Sequence, residues 1–216
     1  MSVEAEKRAH AGRYADRRRR IDNALRCLKL VRELVPFESV VDFGCGIGAW
    51  LHAAEQLGAR TVLGFEGEWI KDAETVIPKD RIKTADLGRD AIDLAKRFDL
   101  ALTIEVAEHL PESSADRFCA SLVAASDHIL FSAASPGQGG VNHLNEQPLA
   151  YWVSKLWALG YVPLEAIRPF IARDATLFPW LRRNLVMFVS YEAFIRSERY
   201  LRFARPLGDF SLRYGP

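Results

Sequence analysis

Cysteine is scarce in this 216-residue chain. Cys27, Cys45 and Cys119 are scattered and form no C-x-x-C pair. That excludes a disulfide framework and argues against a zinc or iron–sulfur site built on cysteine. A reducing, cytoplasmic setting is the expectation. No apolar run approaches the roughly 20 residues needed to span a bilayer. The first residues include Glu4, Glu6, Lys7 and Arg8. No apolar h-region is found there, so a secretory signal is not expected. Net charge is nearly missing as well: 29 Lys and Arg offset 28 Asp and Glu, leaving +1. Such a chain has no global field demanding nucleic acid or an anionic membrane. Internal repeats and low-complexity tracts are absent too. What the chain does have is 49% hydrophobic residues, enough for one globular domain with a substantial core.

The stretch Ser39-Val40-Val41-Asp42-Phe43-Gly44-Cys45-Gly46-Ile47-Gly48-Ala49-Trp50 organises the rest. An apolar run ends near an aspartate, three glycines alternate, and an apolar-periodic segment follows. This reads as strand, tight turn and helix. The turn's glycines tolerate positive φ and let a ligand approach the backbone. The free N–H groups of the next helix point at the same place.

Before this turn, Ile21, Leu25, Leu28 and Val35 recur at helical spacing, and Pro36 ends the run,. Residues 1–37 form an N-terminal helical segment and a candidate lid. Its Arg17–Arg20 cluster reads first as a solvated face and second as an anion contact. From 38 to 191 strands and helices alternate. Strands are expected at Val40–Phe43, Thr61–Phe65, Ile82–Ala85, Leu100–Ile104, Ile129–Ser132, Leu164–Pro169 and Leu185–Ser190. Helices are expected at Ala49–Leu57, Ala91–Lys96, Phe118–Ala125 and Tyr151–Leu159. The pattern implies an α/β fold: a doubly wound, Rossmann-like, seven-stranded and mostly parallel sheet with helices on both faces. The basic, aromatic tail 192–216 is either a helix packing on the core or a subunit contact, which makes a homodimer a candidate assembly.

An acid stands at one strand end after another: Asp42, Glu66, Asp86 and Glu105. One such acid is ordinarily a turn or cap residue; four in succession, behind a glycine turn, mark a ligand site at the sheet edge. Glu66 lies about twenty residues past the turn, where a carboxylate can accept both ribose hydroxyls. Asp86 suits an exocyclic adenine amine. Gly44-x-Gly46-x-x-Ala49 also fits a dinucleotide fingerprint. Asp42 opposes that reading, since it would repel a pyrophosphate. So do the third glycine, Gly48, and the little room left for a second catalytic domain. A cationic adenosyl ligand suits an acidic turn better.

Val41-Asp42-Phe43-Gly44-Cys45-Gly46-Ile47-Gly48 resembles motif I of the class I S-adenosylmethionine-dependent methyltransferases. Gly64-Phe65-Glu66-Gly67 resembles their ribose loop, and Ala85-Asp86-Leu87 their adenine segment. Glu105-Val106-Ala107-Glu108-His109-Leu110 is similar to the strand-four motif of the small-molecule branch. The resemblance implies S-adenosylmethionine as cofactor. It assigns Glu66 to the ribose, Asp86 and Leu87 to the adenine, and Gly44 and Gly46 to the methionine end. Asp42, Gly48, Gly67, Glu105 and Val106 would line the same cleft.

Methyl transfer needs an aligned nucleophile, exclusion of water and, for a hydroxyl, a proton acceptor. His109 after strand four and His143 after strand five are the catalytic candidates, each weighed against a structural role. Gln138, Asn142 and Asn145 both donate and accept, which suits a hydroxylated acceptor such as a sugar. Tyr14 could fold over a ligand. Trp152 reads as a pocket wall and Trp157 as core. Arg182 and Arg183 read as a solvated turn before an anion site. No compact Asp/Glu/His trio stands at ligand spacing in the sequence, so no metal is expected. The leading function is methyl transfer to a small molecule, most simply to oxygen. A nucleic-acid acceptor is the second reading. The end of strand four lacks the N/D-P-P-Y/F sequence of enzymes acting on base amines, and the near-zero charge also weighs against it. A non-catalytic, cofactor-binding partner subunit is the third.

Overall fold

Six short, largely apolar segments and the edge segment Ile82–Thr84 pair into one sheet. A computed structural model describes residues 16–204. The strands are β1 (Ser39–Phe43), β2 (Thr61–Glu66), β3 (Ile82–Thr84), β4 (Leu100–Ile104), β5 (His128–Ser132), β6 (Tyr161–Leu164) and β7 (Val186–Ser190). Their order is β3-β2-β1-β4-β5-β7-β6. β1 to β5 pair in parallel, while β7 runs antiparallel to both β5 and β6. Strand order reverses between β1 and β4, and a ligand crevice opens at the carboxyl ends of such a switch.

Side chains alternate across the sheet, so neighbouring residues serve opposite layers. Val40, Leu100, Leu102 and Leu130 pack on Leu28 and Val31 of α1 (Arg17–Leu34) and on Leu51 and Ala54 of α2 (Ala49–Gln56). Val41, Phe43, Ala101 and Phe131 face Phe118 and Leu122 of α3 (Ala115–Ala125) and Val153 and Leu156 of α4 (Leu149–Ala158). Helices therefore cover both faces, as the alternating pattern implies. Asp16 caps α1 by accepting from the Arg19 N–H at 3.1 Å.

Two expected elements differ. Residues 91–96 are not helical. Six residues are too few to nucleate a helix alone. Asp90 instead donates its N–H to the Asp86 carbonyl and accepts from the Asp86 N–H, which closes a turn. The sixth strand lies at Tyr161–Leu164, not Leu164–Pro169. Pro169 sits in the first turn of α5 (Arg168–Ile171), where its missing N–H costs nothing,. The chain continues through α6 (Pro179–Asn184) to β7 and α7 (Tyr191–Ile195). Residues 191–204 pack back on the core: Tyr200 is buried, and Arg199 donates to the Leu34 carbonyl.

Asp99 fastens the start of β1 to the start of β4. Its Oδ2 accepts from the Glu38 and Ser39 N–H groups, both at 2.8 Å, and from the Ser39 hydroxyl at 2.9 Å. Partial burial raises its pKa, but the Glu38 and Ser39 hydrogen bonds outweigh that and bring it below the ordinary value. A depressed folded pKa gives stability above the unfolded value that is lost as pH falls through the folded one. Asp99→Ala is expected to lose about 1 kcal/mol at neutral pH, the low end for a solvent-screened site. Urea melts of parent and variant should converge in acid; a gap independent of pH would refute this.

Candidate active site

The glycine turn sits at the carboxyl end of β1. Gly44, Gly46 and Gly48 all have positive φ, at 81°, 55° and 87°. A Cβ on Gly44 would stand 2.4 Å from Val106 Cγ2, and one on Gly48 would stand 2.6 Å from Ile77 Cγ1. The turn is pinned from below, where the Gly44 and Cys45 N–H groups donate to the Phe65 carbonyl. It is held from the side by Glu66. One carboxylate oxygen of Glu66 accepts from the Gly46 N–H at 2.7 Å. The other accepts from the Gly67 N–H at 2.8 Å and the Trp69 indole at 3.1 Å. Oε1 thus accepts two bonds and Oε2 one, so three N–H donors fix the Glu66 carboxylate at the edge of the turn.

Asp42 is buried under this turn, and its Oδ1 has no hydrogen-bond partner among the described residues. Burial, then the nearby Glu66 charge, pushes its pKa well above the ordinary carboxylate value. A raised folded pKa means stability falls as pH climbs from the unfolded value towards the folded one. Asp42→Asn is therefore expected to raise the melting temperature of the ligand-free protein at neutral pH, by about 2–4 °C per kcal/mol gained. An unchanged or lower melting temperature would count against a strained carboxyl.

The cleft opens above Asp42, Gly44, Gly46 and Ile104, and encloses about 560 Å³, including space open to solvent. Arg20 and Asn23 of α1 and Phe178, Trp180 and Leu181 complete its wall. Phe178 and Trp180 stack at 4.5 Å, and the Arg19 guanidinium lies 4.4 Å from the Phe178 ring centre. The Arg17–Arg20 run is therefore not purely a solvated face. Nothing in the helical pattern of α1 signals the aromatic pair it meets across the cleft.

Glu105 follows β4 with φ of 56°, a conformation uncommon for a residue with a side chain,. Its carboxylate accepts from Gln138 Nε2 at 2.8 Å and Asn184 Nδ2 at 3.1 Å, and Asn184 also donates to Gln138 Oε1 at 2.8 Å. Loop 133–148 and the end of α6 thus meet over β4. Val106 packs on Gly44, Leu87 is buried among core side chains, and Asp86 accepts from the Gly88 N–H at 2.9 Å.

The histidine candidates come together. His109 and His143 rings lie 4.9 Å apart at 78°. His109 Nδ1 is 3.0 Å from the Asn142 carbonyl, and His143 Nδ1 is 2.6 Å from Glu146 Oε1. Asn142 contributes through its backbone, at φ of 62°, and its side chain is exposed. Asn145 is 4% exposed, and its N–H donates to the Glu108 carbonyl. The tryptophan assignment is reversed: Trp152 is 1% exposed beside Phe131, whereas Trp157 is 48% exposed. Trp152 is core because it falls on the same α4 face as Val153 and Leu156. Arg183 is exposed and Arg182 half-buried, while the neighbouring Asn184 is the residue that enters the site. Tyr14 lies outside the described residues. The premise behind expecting no metal also fails, because Glu108, His109 and His143 bring their donor atoms within 4.8 Å of one another. The 34-residue gap between the two histidines hides that trio in the sequence.

A methyltransferase-domain family model matches residues 13–153, including the glycine turn, the ribose-position acid and the β4 motif. The chain belongs to the class I S-adenosylmethionine-dependent methyltransferases. The search of curated proteins gave no match. Solved structures share the methyltransferase fold. The sugar N-methyltransferase KedS8 of Streptoalloteichus sp ATCC 53650 aligns at TM-score 0.58 and 17% identity, over 78% of this chain and 86% of that one. A methyltransferase of Mesorhizobium loti aligns at 0.53 and 21%, over 78% and 98%. DesVI of Streptomyces venezuelae aligns at 0.57 and 14%, over 88% and 99%. No helix among the described residues of the methyltransferase is long and apolar enough to cross a membrane.

Proposed function

We propose that the methyltransferase moves a methyl group from S-adenosylmethionine to a small polar molecule, most simply to a hydroxyl oxygen. The observation carrying this reading is the Glu66 carboxylate, braced by two backbone N–H groups beside a glycine turn that tolerates no side chain. That arrangement fits an adenosyl ligand: Glu66 takes the ribose hydroxyls, Asp86 and Leu87 border the adenine, and Gly44, Gly46, Gly48 and Gly67 give the backbone approach. Asp42, Glu105 and Val106 complete the methionine side, where a buried and a half-buried carboxyl group favour a cationic ligand,. When bound, S-adenosylmethionine supplies an electrophilic methyl on a sulfonium sulfur.

The acceptor side is polar and lies beyond Glu105. Gln138 and Asn184 present amides that donate and accept, and His109 and His143 stand on the same loop cluster,. The likeness to KedS8, a sugar N-methyltransferase, and to the magnesium protoporphyrin IX methyltransferase of Synechocystis PCC 6803, aligned at TM-score 0.54 and 18% identity, supports a small acceptor. The test is transfer of labelled methyl to hydroxylated and amino small molecules, with RNA in parallel. Small-molecule labelling, and calorimetric binding of S-adenosylhomocysteine, are expected. Labelling of RNA alone would transfer the assignment to nucleic acid. Failure to bind the homocysteine product would remove the donor site.

A further inference from the structure

We propose that Glu108, His109 and His143 form a site for one divalent first-row transition ion, with Zn²⁺ as the reference ion. Their donor atoms lie within 4.8 Å of one another. Ligands about 2.1 Å from a shared tetrahedral ion stand roughly 3.4 Å apart, so a short inward movement closes the site. The surrounding hydrogen bonds set the imidazoles for it. The Asn142 carbonyl can only accept, so Nδ1 of His109 carries the proton at that 3.0 Å contact. The Glu146 carboxylate, 2.6 Å from Nδ1 of His143, fixes the same tautomer there. Nε2 is then the unprotonated nitrogen of each ring, with that of His143 lying against Gly140, so the short movement that closes the site includes the Gly140 loop; metal-binding histidines are ordinarily held in this way through the other nitrogen.

The scaffold is fastened before any ion arrives. Glu146 also accepts from the Gly137 and Gly139 N–H groups at 2.8 and 2.9 Å. The Leu144 and Asn145 N–H groups donate to the carbonyl of Glu108 itself, so the loop bearing His143 is tied to the residue bearing the third ligand. The Glu108 side chain is fully buried. Burying a carboxylate carries a large desolvation penalty, and a divalent cation offsets it. Two imidazoles and one carboxylate favour zinc, cobalt, iron or manganese over magnesium and calcium, which prefer oxygen alone. Three protein donors leave a coordination position for an oxygen of the acceptor. That last placement rests on the methyltransferase reading; the binding of the ion does not.

The full chain, stripped by chelator, is titrated with Co²⁺ followed by visible absorption and with Zn²⁺ by calorimetry. One ion per chain is expected, with Co²⁺ displaced by Zn²⁺ and not by equimolar Mg²⁺. His143→Ala and His109→Ala should each weaken binding more than tenfold, and Glu146→Gln roughly 10–100-fold through loss of support. His52→Ala, outside the trio, should bind as the parent does. Glu108→Gln alters the interior, so the two histidine variants, checked for unchanged melting, carry the test. No stoichiometric binding, or undiminished affinity in both histidine variants, overturns the site. S-adenosylhomocysteine calorimetry on the same samples separates the outcomes. Product binding without metal binding refutes the ion site alone, whereas metal binding without product binding refutes the donor assignment alone.

Discussion

Gly44→Ala is expected to abolish methyl transfer and lower the melting temperature by roughly 5–15 °C. The added Cβ would stand 2.4 Å from Val106 Cγ2 and 2.8 Å from Cγ1. Overpacking of this kind costs about 1–3 kcal/mol. The backbone φ of 81° adds roughly 1–2 kcal/mol for any residue with a side chain,. In a chain of this size each kcal/mol moves the melting temperature by about 2–4 °C. Relief by retreat of the turn would carry Gly46 away from Glu66, so product affinity should fall with stability. Val106→Ala removes both clashing methyls and should restore part of the melting temperature, leaving the φ strain. A Gly44→Ala protein that melts and binds S-adenosylhomocysteine like the parent would contradict the packing of β1 against β4 at this point.

Glu66→Gln should weaken S-adenosylhomocysteine binding ten- to hundredfold while leaving a folded chain. Charge-assisted hydrogen bonds are worth about 1.5–3 kcal/mol. The amide would also turn an NH₂ towards donors that now meet a carboxylate, either the Gly46 N–H or the Gly67 and Trp69 pair. Trp69→Phe is the milder comparison, because it removes one donor and keeps the charge. Calorimetry on both variants decides the matter. Near-parental affinity in Glu66→Gln would mean that the ribose is held elsewhere.

The glycine turn at the end of β1 was legible because its signals are local. Three glycines alternate within one turn, and acids close β2 and β4, so each signal stands at the end of a strand that the apolar pattern already marks. The sheet was legible because period-two apolar runs alternate with period-3.6 runs. The rim above Glu105 was not, because its pieces are far apart in the chain. Asn184 reaches Glu105 across 79 positions, and Asn23 of α1 meets the Phe178 N–H across 155. Trp152 and Trp157 are both tryptophans on one helix, and only the facing of α4 tells core from surface. Residues 91–96 have helix-forming composition, and they lose to a turn anchored on Asp86.

The family match ends at residue 153, yet Phe178, Trp180 and Asn184 still shape the cleft. The antiparallel β6–β7 pair brings that late segment back over the glycine turn. The glycine turn and the rim above it are thereby encoded in separate stretches of the chain. Exchange of residues 165–185 between relatives is expected to reshape that rim while the glycine turn stays untouched.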